Sequence, residues 1–261
     1  MIGYGNSMFL ATHGILARTA SGGGVDPDAQ AFITAAAITD PTQQAAINTL
    51  VVDLKGYNIW SKMIAIYPFV GGDAVKHSYN LKNTAIGQLT YTTGITHASL
   101  GIAGNSVGYA NTGLKATTMG ISQNSGSAGV YLQAYTPNQV FQYGTFGNFF
   151  LYKSDITTYF PAVNNSLAPT YVATTNDGFK QSSRTQSNQI LFKDKNNSIA
   201  TLSSTSTALN STDIWVCNAN NYGGSTNFIS YFFMATGLTN TELNDNYSAV
   251  QTFQTTLGRQ K

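Results

Sequence analysis

Charge is scarce in this sequence: Asp, Glu, Lys and Arg make up 9% of its 261 residues, where an ordinary soluble domain carries about 25%. Thirteen basic residues against eleven acidic ones leave a net charge of +2. Lys and Arg are scattered, which excludes the clustered basic face of a nucleic-acid binder. Cysteine is reduced to Cys217, so no internal disulfide can form and the fold rests on packing. No apolar run approaches the roughly 18 residues that would span a bilayer as a helix, so membrane insertion is not expected. Glutamate is represented by Glu242 alone. What is present in quantity is aromatic: 15 Tyr and 14 Phe accompany a hydrophobic fraction of 42%. That composition excludes intrinsic disorder and supports a large core, in one all-β domain or two small ones.

The opening residues Met1-Ile2-Gly3-Tyr4-Gly5-Asn6 carry neither the basic start nor the long apolar stretch of a secretory leader. Yet the polar residues are Asn, Thr, Ser, Gln and Tyr, the surface chemistry of proteins that face the outside world. A chain made in the cytosol and released by lysis inside a particle satisfies both observations. Residues 1–25 end in Ser21-Gly22-Gly23-Gly24, a linker signal, and read as an arm that attaches to a particle.

Residues 26–58 read as a helical segment. Asp26-Pro27 and Asp40-Pro41 each pair an N-capping residue with proline at the first helical position. Ile47, Leu50, Val51 and Leu54 then recur at the spacing of one buried helical stripe, and Gly56 reads as its stop. From residue 59 onward short runs rich in Val, Ile, Thr, Tyr and Phe alternate with Gly, Asn, Asp and Ser clusters, the pattern of a sandwich or jelly roll. Gln189–Lys193 and Ser198–Leu202 flank a hairpin loop, and Tyr231-Phe232-Phe233-Met234 reads as a central strand covered on both faces. Thr239-Asn240-Thr241-Glu242 is a capping box that opens a C-terminal amphipathic helix.

The carboxylates offer little to catalysis. Asp26, Asp28 and Asp40 sit at helix starts, and a pair such as Asp155 and Asp213 is not required by the spacing to meet. Solvated turn residues are the better reading for them. Cys217, inside the strand-like Ile214-Trp215-Val216, reads as a small buried hydrophobe. His13, His77 and His97 share no metal-ligand spacing. No catalytic residue and no metal ligand is assigned, and the expectation is that the chain is not an enzyme. The default is no cofactor; the residue types leave calcium as an alternative, on Asn176-Asp177, Asp194 and Asn196. Carbohydrate fits the composition better, because aromatic faces stack on sugar rings while amides and hydroxyls read their hydroxyl groups. The candidate glycan-binding residues are Tyr131, Tyr135, Tyr143, Trp215, Asn220 and Tyr222. Tyrosines also populate ordinary sheet surfaces and subunit interfaces, and that alternative stays open.

Several segments carry a family resemblance together: Asp26–Phe32, Ile38–Gln44, Ile47–Val51, Ala65–Gly72, Gly108–Thr112 and Ala249–Arg259. They resemble a group of bacteriophage structural proteins with a concanavalin A-like, laminin-G-like sandwich behind a short helical segment. The resemblance implies a mostly β fold: a concanavalin A-like β-sandwich (jelly roll) over residues 59–261, preceded by two helices and closed by the C-terminal helix. It also implies a virion component on head or tail, partnered by other virion proteins and by further copies of itself as a homo-oligomer. Read from the Tyr and Asn residues, host-surface polysaccharide is the candidate outward ligand; a decoration, fibre or capsid-vertex role with no ligand stays open beside it. The alternatives are a dedicated receptor-binding adhesin and, last, a glycan hydrolase; the Glu-x-Asp-x-Glu strand of glucanases with this sandwich is not found here.

Overall fold

The computed structural model describes residues 24–133, 140–145, 147–155, 157–165, 167–173, 175–195, 198–219 and 223–261. Its helices start where their capping chemistry requires. The Asp26 carboxylate accepts from the Asp28 N–H at 3.0 Å ahead of α1 (Pro27–Ala35). Asp40 accepts from Thr42 and Gln43 at 2.8 and 3.0 Å ahead of α2 (Pro41–Gly56). α2 ends at Gly56 as expected, and the left-handed turn that follows is taken by Asn58 at φ 60°. A single helical turn, α3 (Ala74–Ser78), follows the first strand. The C-terminal helix α4 (Asn240–Thr256) has its expected capping box between Thr239 and Glu242.

Two antiparallel sheets form a sandwich. One contains, in spatial order, β13 (Ala200–Ser203), β12 (Gln189–Lys193), β11 (Gly178–Gln186), β6 (Gly126–Leu132), β15 (Ile229–Ala235), β4 (Gly101–Ala103) and β3 (Thr96–Ala98), with β1 (Met63–Tyr67) also paired to β15. The other runs β10 (Tyr171–Val172), β9 (Thr158–Val163), β8 (Phe149–Lys153), β7 (Val140–Thr145), β14 (Asp213–Val216), β5 (Ala110–Lys115) and β2 (Thr90–Tyr91). Alternate residues of each strand point to opposite faces, and here both faces of the first sheet are covered. Val130, Leu132, Phe232 and Met234 face Tyr143, Phe149, Leu151, Ile214 and Val216 across the sandwich. Their neighbours Tyr131, Phe179, Tyr231 and Phe233 pack under α1, α2 and α4 against Phe32, Leu50, Val250 and Phe253. Each such side chain contributes about 1.5–3 kcal/mol by leaving water. The central strand β15 is buried along its whole length, as its apolar run indicates.

A polar strand lies in the same core. Lys180 through Arg184 of β11 are fully buried, and their polar atoms are met by partners. Gln181 donates to the Leu243 carbonyl at 2.8 Å and accepts from Asn246 at 2.9 Å, which ties β11 to α4. The Arg184 guanidinium donates to the carbonyls of Val163, Gln186 and Ser204 at 2.6–3.0 Å. No helix of the described residues is long and apolar enough to cross a membrane.

Candidate functional site

Among the described residues no helix packs over the second sheet, and its outer face carries aromatic side chains. Phe141, Phe150 and Ala162 form a cluster there with Ala219, flanked by the half-buried Tyr152 and Phe160. Beyond them, on β14, Ile214 and Val216 turn inward to the core, so Trp215 between them turns outward. Trp215 lies opposite Gly144 on β7 and Asn111 on β5. A side chain on Gly144 is excluded, because its φ is +136° and a Cβ would stand 2.3 Å from the Phe149 carbonyl oxygen.

β5 bends beside Trp215. Trp215 pairs with Asn111 and Asp213 with Lys115, so two extra residues of β5 bulge between them, and Gly113 takes φ 64°. Bulges re-aim side chains. This one brings Asn111 and Lys115 to the rim of a cleft of about 330 Å³ that Ser211, Thr212, Asp213 and Trp215 also line. The cleft's polar groups are oriented by one another. Asn111 donates from Nδ2 to Asp213 Oδ2 at 3.0 Å and accepts at Oδ1 from the Gly113 N–H at 2.9 Å. Thr212 donates to Asn210 Oδ1 at 2.8 Å and contacts the Thr145 hydroxyl. Thr112 locks β5 to β14 by donating to the Ile214 carbonyl at 2.7 Å. The indole itself is backed: the Tyr109 ring stacks on it at 3.6 Å between centroids and 2° between planes. Tyr109 thus covers one side of the indole, and Trp215 borders the cleft.

Of the candidate glycan-binding residues, Trp215 is the one placed at this surface. Two are corrected. Tyr131 is fully buried beneath the helices, stacked on Phe179, and its hydroxyl accepts from the Lys261 N–H at 2.7 Å. Tyr143 points into the space between the sheets, where its hydroxyl meets the Ala128 carbonyl and Ser182 Oγ, and burial pushes its phenol pKa up. Neither ring can stack on a sugar. Tyr135, Asn220 and Tyr222 lie outside the described residues. Sequence reasoning missed Tyr109, Asn111 and Asp213 as partners of Trp215. The alternation of Tyr109 and Asn111 with the apolar Ala110 was the available signal for a shared outward face.

Of the residues named for the calcium alternative, Asp177 is engaged by lysines. Asp177 accepts from Lys195 Nζ at 2.8 Å with its carboxylate and from Lys180 Nζ at 3.1 Å with its carbonyl. Two ammonium groups thus compete with a cation for the oxygens of Asp177, and Asn196 lies outside the described residues. Among the described residues no group of three His, Cys, Asp or Glu side chains is arranged to hold a metal. Asp155, in the turn between β8 and β9, accepts from the Thr157 and Thr158 N–H groups at 2.8 Å, which lowers its pKa. Cys217 is fully buried, and burial pushes its thiol up to about 12. His77 and His97, unrelated by spacing, come together with Nδ1 atoms 3.1 Å apart.

No protein-family model and no curated protein matches this sequence. Among solved structures, the chain is similar to domain 4 of AbnA, a GH43 extracellular arabinanase from Geobacillus stearothermophilus, in complex with arabinotriose. The identity is 13% and the TM-score 0.47, over 71% of this chain and 98% of that one. It is also similar to the Trypanosoma rangeli sialidase in complex with sialic acid, at 8% identity and TM-score 0.46, over 80% of this chain and 39% of the sialidase. Likenesses of this degree assign neither family nor ligand. They do correct one expectation: with an arabinanase domain and a sialidase among the structural neighbours, the exclusion of enzymatic activity does not stand.

Proposed function

We propose that this chain is a virion structural protein of a bacteriophage whose β-sandwich binds host-surface polysaccharide on the outer face of its second sheet. The observation that carries the binding role is Trp215, backed by Tyr109 and set beside the Asn111–Asp213 pair in an open cleft. An aromatic wall with a few oriented polar groups is the usual make-up of a small-ligand site. Asp213 offers its second carboxylate oxygen and Asn111 its second amide hydrogen to sugar hydroxyls. The placement on a particle rests on the sequence resemblance of residues 26–32, 38–44, 47–51, 65–72, 108–112 and 249–259 to phage structural proteins. The same resemblance supports reading the two sheets as a concanavalin A-like jelly roll. Self-association and contacts with other virion proteins belong to this proposal.

The dedicated-adhesin reading shares the cleft and differs in copy number and position on the particle. The test is binding of the labelled chain to intact host cells, with extracted surface polysaccharide as competitor. Saturable binding that the polysaccharide abolishes, and that Trp215→Ala removes, is the expected result. Binding that survives both overturns the cleft as the receptor site. Shortened polysaccharide after incubation would show that the cleft also cleaves what it binds.

A further inference from the structure

A second concavity opens at the side of the sandwich, where β1 and the segment after β5 leave the two sheets apart. Met63, Ile64, Ile86, Leu114 and Met119 line it, with Lys82 among its polar residues, in a groove of about 360 Å³. Ile64, Leu114 and Met119 belong to the fringe of the core between the sheets, so the groove floor continues that core. Ile86 stands at the groove 53% exposed. The groove's cation rests on an aromatic ring and not on a carboxylate. Lys82 Nζ sits 4.4 Å from the centre of the Trp60 ring, and no carboxylate among the described residues pairs with it. The charges nearest to it, Asp28 and Lys55, neutralise each other at 2.6 Å.

An apolar trough with one partly buried ammonium is complementary to a ligand with one aliphatic chain and one anionic head. We propose that this groove binds a single-chain aliphatic carboxylate, its chain against Ile64, Leu114 and Met119 and its head on Lys82. The volume lies at the small end of ligand pockets, about 300–1,000 Å³. It admits one short alkyl chain and neither a two-chain lipid nor a helical peptide. Burial depresses the Lys82 pKa, and a carboxylate placed at its ammonium would oppose that shift. Leu114 lines this groove and Lys115 the Trp215 cleft, so the two sites share β5 back to back. The inference does not depend on the glycan reading.

The test is calorimetric titration of decanoate into the full chain, with decan-1-ol as the uncharged chain and butyrate as the short one. Decanoate is expected to bind saturably at one site, with decan-1-ol and butyrate each about tenfold weaker or worse, since charge-assisted contact and chain burial both contribute. Lys82→Gln should bring decanoate down to the level of decan-1-ol. Ile86→Asp, at an exposed position that cannot disturb the core, should weaken decanoate as well. Equal binding of decanoate and butyrate, unsaturable uptake, or a Lys82→Gln protein that binds decanoate as the parent does would overturn the proposal.

Discussion

Acid should destabilise this protein in a window that one buried histidine sets. His77 of α3 is 1% exposed, packs edge-on against Phe69 with ring centres 5.7 Å apart, and meets His97 Nδ1 to Nδ1 at 3.1 Å. That contact holds one proton between two neutral rings; protonating both rings would set two N–H groups against each other. His77 Nε2 has no hydrogen-bond partner among the described residues. The charges around it are Arg259 and Lys76, which oppose protonation, and Asp73, which favours it. Burial, then His97 and Arg259, lower its pKa from 6.5 to about 3. The folded pKa lies below the unfolded one, so the neutral ring's contribution is complete above pH 6.5 and is lost as pH falls from there toward 3. Well inside that window each unit costs about 1.4 kcal/mol, and because the unfolded ring is only half protonated at pH 6.5, pH 4.5 should cost about 2 kcal/mol relative to pH 6.5. His97, shifted the same way by burial, adds to the slope. The stabilised carboxylates Asp26, Asp73 and Glu242 have lowered pKa values and act mostly below pH 4.5. Urea unfolding from pH 7 to 4.5 measures the slope, and His77→Phe should flatten it by about one proton's worth. Equal slopes for parent and variant, or a His77 pKa near 6 by NMR, would refute the reasoning.

Other consequences are as direct. Arg184→Met strands the buried carbonyls of Val163 and Ser204 and should cost about 3 kcal/mol or more in chemical denaturation. Thr239→Ala removes the cap of α4 and should cost about 1 kcal/mol by the same assay, with the native circular dichroism retained. Tyr109→Ala should weaken polysaccharide binding several-fold while leaving the melting temperature within a few degrees, because both rings lie outside the core.

How far the sequence discloses this molecule depends on whether the information is local. The starts of α1, α2 and α4 are written in Asp-Pro pairs and a capping box, and the structure has each of them. The central strand β15 is legible because an unbroken apolar run needs cover on both faces. β11 is not legible in that way: Lys180, Gln181, Ser182, Ser183 and Arg184 read as solvent-facing until α4 and the neighbouring strands supply their partners. The same hidden layer explains Tyr131. On a two-layer sandwich an alternating tyrosine would face water; here the helices cover that face and make it core. Trp215 is legible as an aromatic, but its site depends on a bulge in β5 more than 100 residues away in sequence, with Asn111 and Asp213 separated by 102 positions. Residues brought together at that separation leave no spacing to read, and the pairing of His77 with His97 is hidden for the same reason.

The central claim is that the cleft at Trp215 receives host polysaccharide. Its most direct test is calorimetric titration of purified surface polysaccharide into the parent protein and into Trp215→Ala, with melting temperatures recorded for both. The account predicts saturable binding by the parent and a loss of about 10- to 30-fold or more in the variant at unchanged stability. A variant that binds the polysaccharide as tightly as the parent would contradict it.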